Sequence, residues 1–365
     1  MTHCRLRPLL MGAVLSLLIA CTDSKPVFFE ADRPVRLSEW NLYSLTTDAL
    51  TPNESSLVFR PANQLFTDYA HKLRSLWIPT GAQAQLIDGE ISYPVGTVIS
   101  KTFYYPMNSN NELLQQDDLG STEVNLRNNQ LVETRILARK EAGWDAFVYV
   151  WNEAQTEAFL RVAGSSKSIR LKQSGGDLDF VYFVPNENQC AGCHTTSHPD
   201  GEMHPLGAIA SQLSKAVFPT QNNLEMQTET LLARGWLDKL PVRMNAASWS
   251  DESYSIEERA QAYLTIHCGH CHNPEGAADT SALLLDGSHA RPVNMGICKP
   301  PVAAGGGAGD LQYSIVPGAP ERSILLYRLQ STKPDEMMPE LGRSLVHTEG
   351  VALISRWISE MSGSC

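Results

Sequence analysis

Residues Gln130–Asn152 read QLVETRILARKEAGWDAFVYVWN. β-branched and aromatic residues fill QLVETRILA and WDAFVYVWN, and RKEAG between them is a connection of hairpin length. The stretch therefore predicts two paired antiparallel strands. Working outward, TVISKTFYY (Thr97–Tyr105) and DLDFVYFV (Asp177–Val184) are runs of the same kind, separated by Gly, Asn and Pro. Residues 36–187 are expected to form an antiparallel β-sandwich-like domain, with Trp144, Tyr149 and Trp151 among its packed or rim aromatics. Within it QLFTDYAHKLRSLWIPTG is more polar. Asp68, His71, Lys72 and Arg74 there form either a binding face or, as is more common for such residues, bracing ion pairs.

The chain has 365 residues, 42% of them hydrophobic and 19% charged, enough for a sizeable core and for two or three domains. Its net charge is −11 and no Lys/Arg run interrupts it, which excludes nucleic acid as a partner, because no basic patch could displace counterions from phosphates. A basic docking partner is compatible with that surface. At the N-terminus Arg5 and Arg7 precede LLMGAVLSLLIA, too short to span a bilayer and of the form of a signal h-region. LLIAC then resembles a bacterial lipobox. The expectation is a signal peptide over 1–20, lipid on Cys21 and a linker over 21–35; Thr22 in place of aspartate favours the outer membrane.

Of the eight cysteines, Cys4 leaves with the signal and Cys21 carries lipid. Four make two C-x-x-C pairs, each followed at once by histidine: CAGCH (Cys190–His194) and CGHCH (Cys268–His272). That is the attachment pattern for haem c: two thiols on one turn reach the two vinyl groups of a porphyrin, and the next residue lies under the iron. Two covalent haems are expected, tethered by Cys190, Cys193, Cys268 and Cys271, with His194 and His272 as proximal ligands. His270 is then a spacer and His267 precedes the motif, both as surface or haem-edge residues. A single zinc site would want a much shorter gap between the pairs, and a thioredoxin-like pair needs no histidine. Cys298 and Cys365 remain, and leftover thiols in an exported protein pair, so a Cys298–Cys365 disulfide is expected.

For the second haem, Met338 directly before Pro339 offers a thioether to the distal face from a stiffened loop, in preference to Met337. For the first, His198, Met203, His204, Met226 and Met244 are the candidates. His198 is too close to His194 in sequence, and Met203 or His204 in the loop GEMHPLG is the choice. Around the second motif, Ser255 and Glu258 make a capping box ahead of ERAQAYLTIH, and VALISRWISEM puts Leu353, Ile354, Trp357, Ile358 and Met361 on one face. The fold class expected is α+β multidomain: the β domain, then mainly α-helical cytochrome c-type haem domains, with a first haem segment at 188–254 and a second at 255–365.

Taken together, LFTDYAHKLRSLWIPTG, YPVGTVISKTFYY, GWDAFVYVWNEAQTEA, NQCAGCH, CGHCHNPEG, GICKPPVAAGGGAG, PGAPERSILLYRL and MMPELGRS resemble a family of proteobacterial two-haem c-type cytochrome lipoproteins, over Leu37 to Trp357. The resemblance implies export to the periplasmic side, two haems and a β domain fused to cytochrome modules, and it supplies no substrate. HPLG and SQLS depart from the pattern common in relatives. The function expected is a membrane-anchored dihaem electron carrier working with redox partner proteins. The alternatives are a peroxidase-like or oxidase-like enzyme with an open position at the first haem, and a binding module built on the β domain.

Overall fold

The computed structural model describes residues 25–195, 197–213, 226–241, 247–287, 291–302 and 304–365; the leader, Cys21 and Met244 lie outside them. The strands are β1 (Tyr43–Leu45), β2 (Ala49–Pro52), β3 (Leu57–Val58), β4 (His71–Trp77), β5 (Gln85–Ile87), β6 (Glu90–Ser92), β7 (Val98–Pro106), β8 (Leu113–Leu114), β9 (Val124–Asn125), β10 (Asn129–Lys140), β11 (Gly143–Trp151), β12 (Ala158–Leu160), β13 (Ser165–Lys172) and β14 (Leu178–Val184). The helices are α1 (Glu187–His194), α2 (Ala210–Leu213), α3 (Gln227–Ala233), α4 (Ile256–His267), α5 (Pro292–Met295), α6 (Ile324–Gln330) and α7 (Thr348–Glu360). Among the described residues no helix is long and apolar enough to cross a membrane.

Gln130–Asn152 forms the hairpin β10–β11, which turns between Lys140 and Gly143. It lies inside an antiparallel sheet of order β12-β11-β10-β7-β4-β3. Period-two alternation sends the side chains of these strands to two different places. On one face Leu73, Trp77, Val98, Tyr104, Ile136, Ala138, Phe147, Tyr149 and Trp151 meet Leu50 and Val124 from the small sheet β1-β2-β9, together with Leu37 and Trp40. The polar tips inside this cluster are satisfied: Trp40 Nε1 donates to Tyr149 Oη (2.7 Å), which donates to the Pro34 carbonyl (2.8 Å).

The second face is split. At one end Leu76, Ile99 and Trp144 pack against Ala208, Leu213, Leu231 and Leu237 from the segment after α1. At the other, Phe103, Tyr105, Val132 and Val148 pack against Ile169, Leu171, Tyr182 and Val184 of the sheet β14-β13-β8. A bulge makes this possible: Leu131 opposes Tyr104 and Glu133 opposes Phe103, so Val132 is the extra residue and the strand changes face there.

The expectation of mainly α-helical haem domains is corrected. Among the described residues the chain is mostly β, with about 22% helix, 3-10 turns and seven short α-helices together. The described part of 188–254 carries α1, α2 and α3 beyond irregular chain, and that of 255–365 carries four α-helices, of which α7 is the longest at 13 residues. The reason is local. α4 has a capping box and α7 a sustained apolar stripe; between them Pro300, Pro301, Pro317 and Pro320 and the glycines of GGGAG break any continuing helix. The Ser255–Glu258 capping box opens α4, and Leu353, Ile354, Trp357 and Ile358 are the buried face of α7. The two helices touch where Gly350 sits, since a Cβ there would come within 2.2 Å of Tyr263 Oη.

The β domain and the C-terminal half are joined through residues 63–69. Asp68 Oδ1 accepts from the backbone N–H groups of both Ser344 and Leu345, each at 2.7 Å. The Phe66 N–H donates to His267 Nε2 (2.9 Å), whose Nδ1 bonds the Tyr263 carbonyl (2.8 Å). Asn63 Nδ2 donates to the Ala247 carbonyl (2.8 Å) and its Oδ1 accepts from Trp249 N–H (2.9 Å). His347 stacks on Phe66 with centroids 4.3 Å apart. Of the polar residues of that segment, Asp68, His71, Lys72 and Arg74 are all buried; Asp68, His71 and Lys72 brace the interior through backbone groups, and Arg74 lines a cavity.

Burial raises the Asp68 carboxyl to about 6 from an ordinary 3.8, against the pull of the two amides, Arg343 and Lys72. Folding therefore takes up a proton between those values, and this group's contribution to stability falls as pH rises from about 4 to 6. Removing the acceptor leaves two buried amides unmatched. We expect Asp68→Ala to cost about 2–4 kcal/mol in denaturant unfolding at pH 7. Asp68→Asn keeps an acceptor, should cost under about 1 kcal/mol and should abolish that pH dependence; equal losses in both variants would refute the account.

Candidate cofactor site

The sequence NENQCAGCH folds as it does because Asn186 caps α1. Its side chain accepts from Gln189 N–H and the Gln189 side chain accepts from Asn186 N–H, both at 2.9 Å. The helix then carries Cys190, Cys193 and His194 at i, i+3 and i+4, on one face. His194 Nδ1 lies 2.6 Å from the His204 carbonyl, to which it donates, and His204 N–H donates back to the His194 carbonyl (2.7 Å). Nδ1 is thereby spoken for, and Nε2 is left as the free lone pair, the arrangement that orients a ligating imidazole. Burial lowers the His194 ring to about 4, so it is neutral and able to ligate.

The same bonds place Met203 and His204. Thr195 and Met203 form a bridge, and the chain at 203–204 runs back along the Nδ1 side of the His194 ring. Met203 packs against the Leu76–Leu237 cluster. The backbone of this loop thus supports the Nδ1 side of the His194 ring. His198 is exposed and its N–H donates to the Glu275 carbonyl at 2.8 Å, tying the first motif to the second.

At the second motif, Cys268 caps α4, and the Cys271 and His272 N–H groups both return to the Cys268 carbonyl (3.0 and 2.8 Å). His272 Nδ1 is 3.2 Å from Ser281 Oγ, and that hydroxyl spends its proton on the Ala278 carbonyl (2.6 Å). His272 therefore donates from Nδ1 and again keeps Nε2 free. Burial and the nearby Arg328 lower its ring to about 4. His267, expected at the surface or at a haem edge, is buried at 2% exposure, so it is not a surface residue; it lines the cavity described below and works as the docking histidine of the fold. Burial pushes the Cys268 thiol up to about 12.

Met338 is half-buried; its N–H bonds the Arg328 carbonyl (3.0 Å) and its own carbonyl accepts from Arg343 Nη2 (2.9 Å). Arg343 Nη2 also reaches the carbonyls of Arg328 and Ser331 (3.1 and 2.9 Å), so one guanidinium pins the whole Met338 loop. Arg328 is thus a common neighbour of Met338 and His272. A disulfide joins Cys298 to Cys365 (Cα–Cα 5.3 Å), tying the chain beyond α7 to the loop before the Gly-rich turn.

The two motifs meet. Cys193 Sγ, Cys271 Sγ and a ring nitrogen of His270 all lie within 4.8 Å of one another, and the Cys271 thiol points at the Gly192 carbonyl (3.5 Å). The hydrogen bond from Cys271 and the neighbouring His270 hold the Cys193 thiol low, while Cys271 is raised as the partner that keeps the proton. The sequence gap between the pairs, which argues against a shared site when read linearly, is closed by the fold.

Beside the first motif is a cavity of about 1560 Å³, counted out to its mouth. Cys190, Cys193 and His194 line one side, Arg74, Lys101 and Arg135 of the large sheet the other, and Pro339, Leu341 and Gly342 part of the rim. A C-x-x-C-H helix with a free Nε2 facing a large, partly apolar cavity suits a thioether-linked haem. At the second motif the donor set is equally complete, but Cys268 is packed into the core of α4, α6 and α7, and the cavity does not reach His272. Sequence reading missed Lys101, Arg135 and Arg343; the signal for the first two was a basic residue interrupting an apolar strand, VISKTFYY and VETRILA.

Compared with family models, with curated proteins and with solved structures, the chain matches none of them. The reading of the site rests on its own geometry.

In protein produced without haem attachment, the Cys193 and Cys271 thiols should be the pair that reacts. Mild oxidation is expected to give a Cys193–Cys271 disulfide by peptide mapping, lost in Cys193→Ser. A dominant Cys190–Cys193 or Cys268–Cys271 link would contradict the juxtaposition.

Proposed function

We propose that this protein is a dihaem c-type electron carrier, tethered by lipid on Cys21 to the periplasmic side of the cell envelope, with the outer membrane as its place. Cys190 and Cys193 would hold one haem and Cys268 and Cys271 the other, with His194 and His272 as the imidazoles offered to the two irons. When bound, such groups supply one-electron redox chemistry.

The observation that carries this reading is the approach of Cys193 to Cys271. Each sulfur would be bonded to the rim of its own porphyrin, so two sulfurs within 4.8 Å of each other hold the two rims close enough for rapid exchange. The chain's own residues do the orienting: the His204 carbonyl and Ser281 Oγ fix the two imidazoles, and Arg343 anchors the backbone of Met338, the residue that would offer a thioether to the second site. The net charge of −11 suits basic redox partner proteins and disfavours nucleic acid.

One observation favours a second reading, an oxidoreductase of the peroxidase-like or oxidase-like kind. Met203 and His204 back the proximal ring, and the far side of the first site opens on a cavity rather than on either of them. An open position there would admit a small oxidant.

The test begins with protein exported in a host that attaches haem c. Intact mass and a pyridine haemochrome assay should both return two haems per chain, and a count of zero ends the proposal. Met338→Ala should lower the reduction potential of one haem only, remove the weak red-end band of a sulfur-ligated ferric haem and open that iron to cyanide. Two low-spin haems in the wild type support the carrier; a high-spin ferric signal with rapid peroxide reaction supports the enzyme.

A further inference from the structure

The second face of the large sheet contains an arrangement that the fold alone does not require. Register places Arg74 of β4 opposite Lys101 of β7, and Lys101 opposite Arg135 of β10. Three cations therefore stand in one row across three neighbouring strands, in the gap between the two apolar clusters of that face. All three line the cavity that Cys190, Cys193 and His194 close from the other side. Like charges directly opposite each other on a sheet repel, and here Arg74 is buried and Lys101 and Arg135 are partly buried, so solvent screens them incompletely.

The protein's own counter-charges do not balance the row. Arg135 is paired, through Nε and Nη2, with the Glu133 carboxylate (2.9 and 2.6 Å). Among the described residues the Arg74 guanidinium has a hydrogen bond only to the neutral Gln64 Oε1, at 3.3 Å, and Asp118 acts on it through space. Asp118, the next acid, is engaged by Arg60 at 3.1 Å. Lys101 has no hydrogen-bond partner and no carboxylate within ion-pair distance among the described residues; its ammonium lies 5.1 Å from the Phe103 ring centroid, a ring that also faces Lys72 and Arg135. Desolvation and the guanidiniums beside it hold this ammonium well below the ordinary lysine range, as expected for a cation lacking its partner.

The geometry points to an anion platform: Arg74, Lys101 and Arg135 bind a small oxyanion, a carboxylate in the first instance, inside the cavity beside the Cys190–Cys193–His194 motif. Only the source of the carboxylate rests on the dihaem reading. It is either the propionates of the porphyrin tethered at that motif or a separate anion entering by the mouth, and both use the same charge-assisted hydrogen bonds.

The experiment uses the full haem-loaded chain as wild type, Lys101→Gln, Arg74→Gln and, as a control, Arg170→Gln, which removes an exposed ion pair with Asp179 far from the cavity. Lys101→Gln relieves repulsion and should fold at least as well as the wild type. Intact mass counts porphyrins, a spectroelectrochemical titration at pH 7 reads each haem, and calorimetry with inorganic sulfate reads an open anion site. With propionates on the row, Lys101→Gln and Arg74→Gln each shift the reduced-to-oxidised ratio of one haem about tenfold toward oxidised at fixed solution potential, 59 mV for one electron, and sulfate gives no binding heat. With the row open, sulfate binds the wild type, and Lys101→Gln weakens it at least about tenfold. The platform is overturned if neither quantity responds to Lys101→Gln or Arg74→Gln, or if Arg170→Gln gives the same change. A mass without porphyrin defeats the dihaem reading alone, and the sulfate titration then decides the platform by itself.

Discussion

Asp68 accepting the amides of Ser344 and Leu345 is the contact on which the rest of the arrangement depends. It lies just before β4, the strand that carries Arg74, and it grips the loop that runs on from Met338 through Arg343. With Asn63 and Phe66 it holds three separate pieces of the C-terminal half, at Ala247–Trp249, at His267 and at 344–345, against one corner of the β domain. Only then does the split face of the sheet look across at α1 and the second motif rather than at water. The cavity, the meeting of Cys193 with Cys271 and the part-buried setting of the cation row are consequences of that docking, not of the sheet or the helices taken singly.

The parts legible in the sequence were those fixed by short-range rules. Runs of β-branched and aromatic residues mark β7, β10, β11 and β14. Ser255 with Glu258 marks the start of α4, and a five-residue apolar stripe marks α7, with Met361 falling just past the helix end. The Cys298–Cys365 pair followed from elimination once the other cysteines had roles. The mainly helical expectation for the C-terminal half failed because a cytochrome-like motif was read as bringing a helical scaffold with it, whereas the prolines and glycines between α4 and α7 keep most of that chain irregular.

What could not be read was anything set by register or docking. Lys101 and Arg135 each look like one stray base in an apolar strand; that they stand opposite each other, with Arg74 completing the row, depends on a pairing offset that includes the Val132 bulge. His267 looked like a bystander of its motif because its acceptor nitrogen serves a backbone amide at Phe66, two hundred residues upstream. Nothing in GEMHPLG announces that the His204 carbonyl is the orienting partner of His194.

The two motifs are chemically alike but sit in unlike surroundings, and the difference bears on what each can do. Cys268 belongs to the packed core of α4, α6 and α7, and His272 is half-buried beside it, bonded to Ser281 and with Arg328 nearby. His194 and Cys190 face an open volume whose opposite wall is positive. A sheet gains nothing in stability from three bases in register, and replacing them with apolar residues would join the two clusters of that face into one continuous core. Violations of a folding rule that bring no structural return concentrate at sites of function. By that reasoning the row marks the first motif, rather than the second, as the place where this protein meets something outside its own chain.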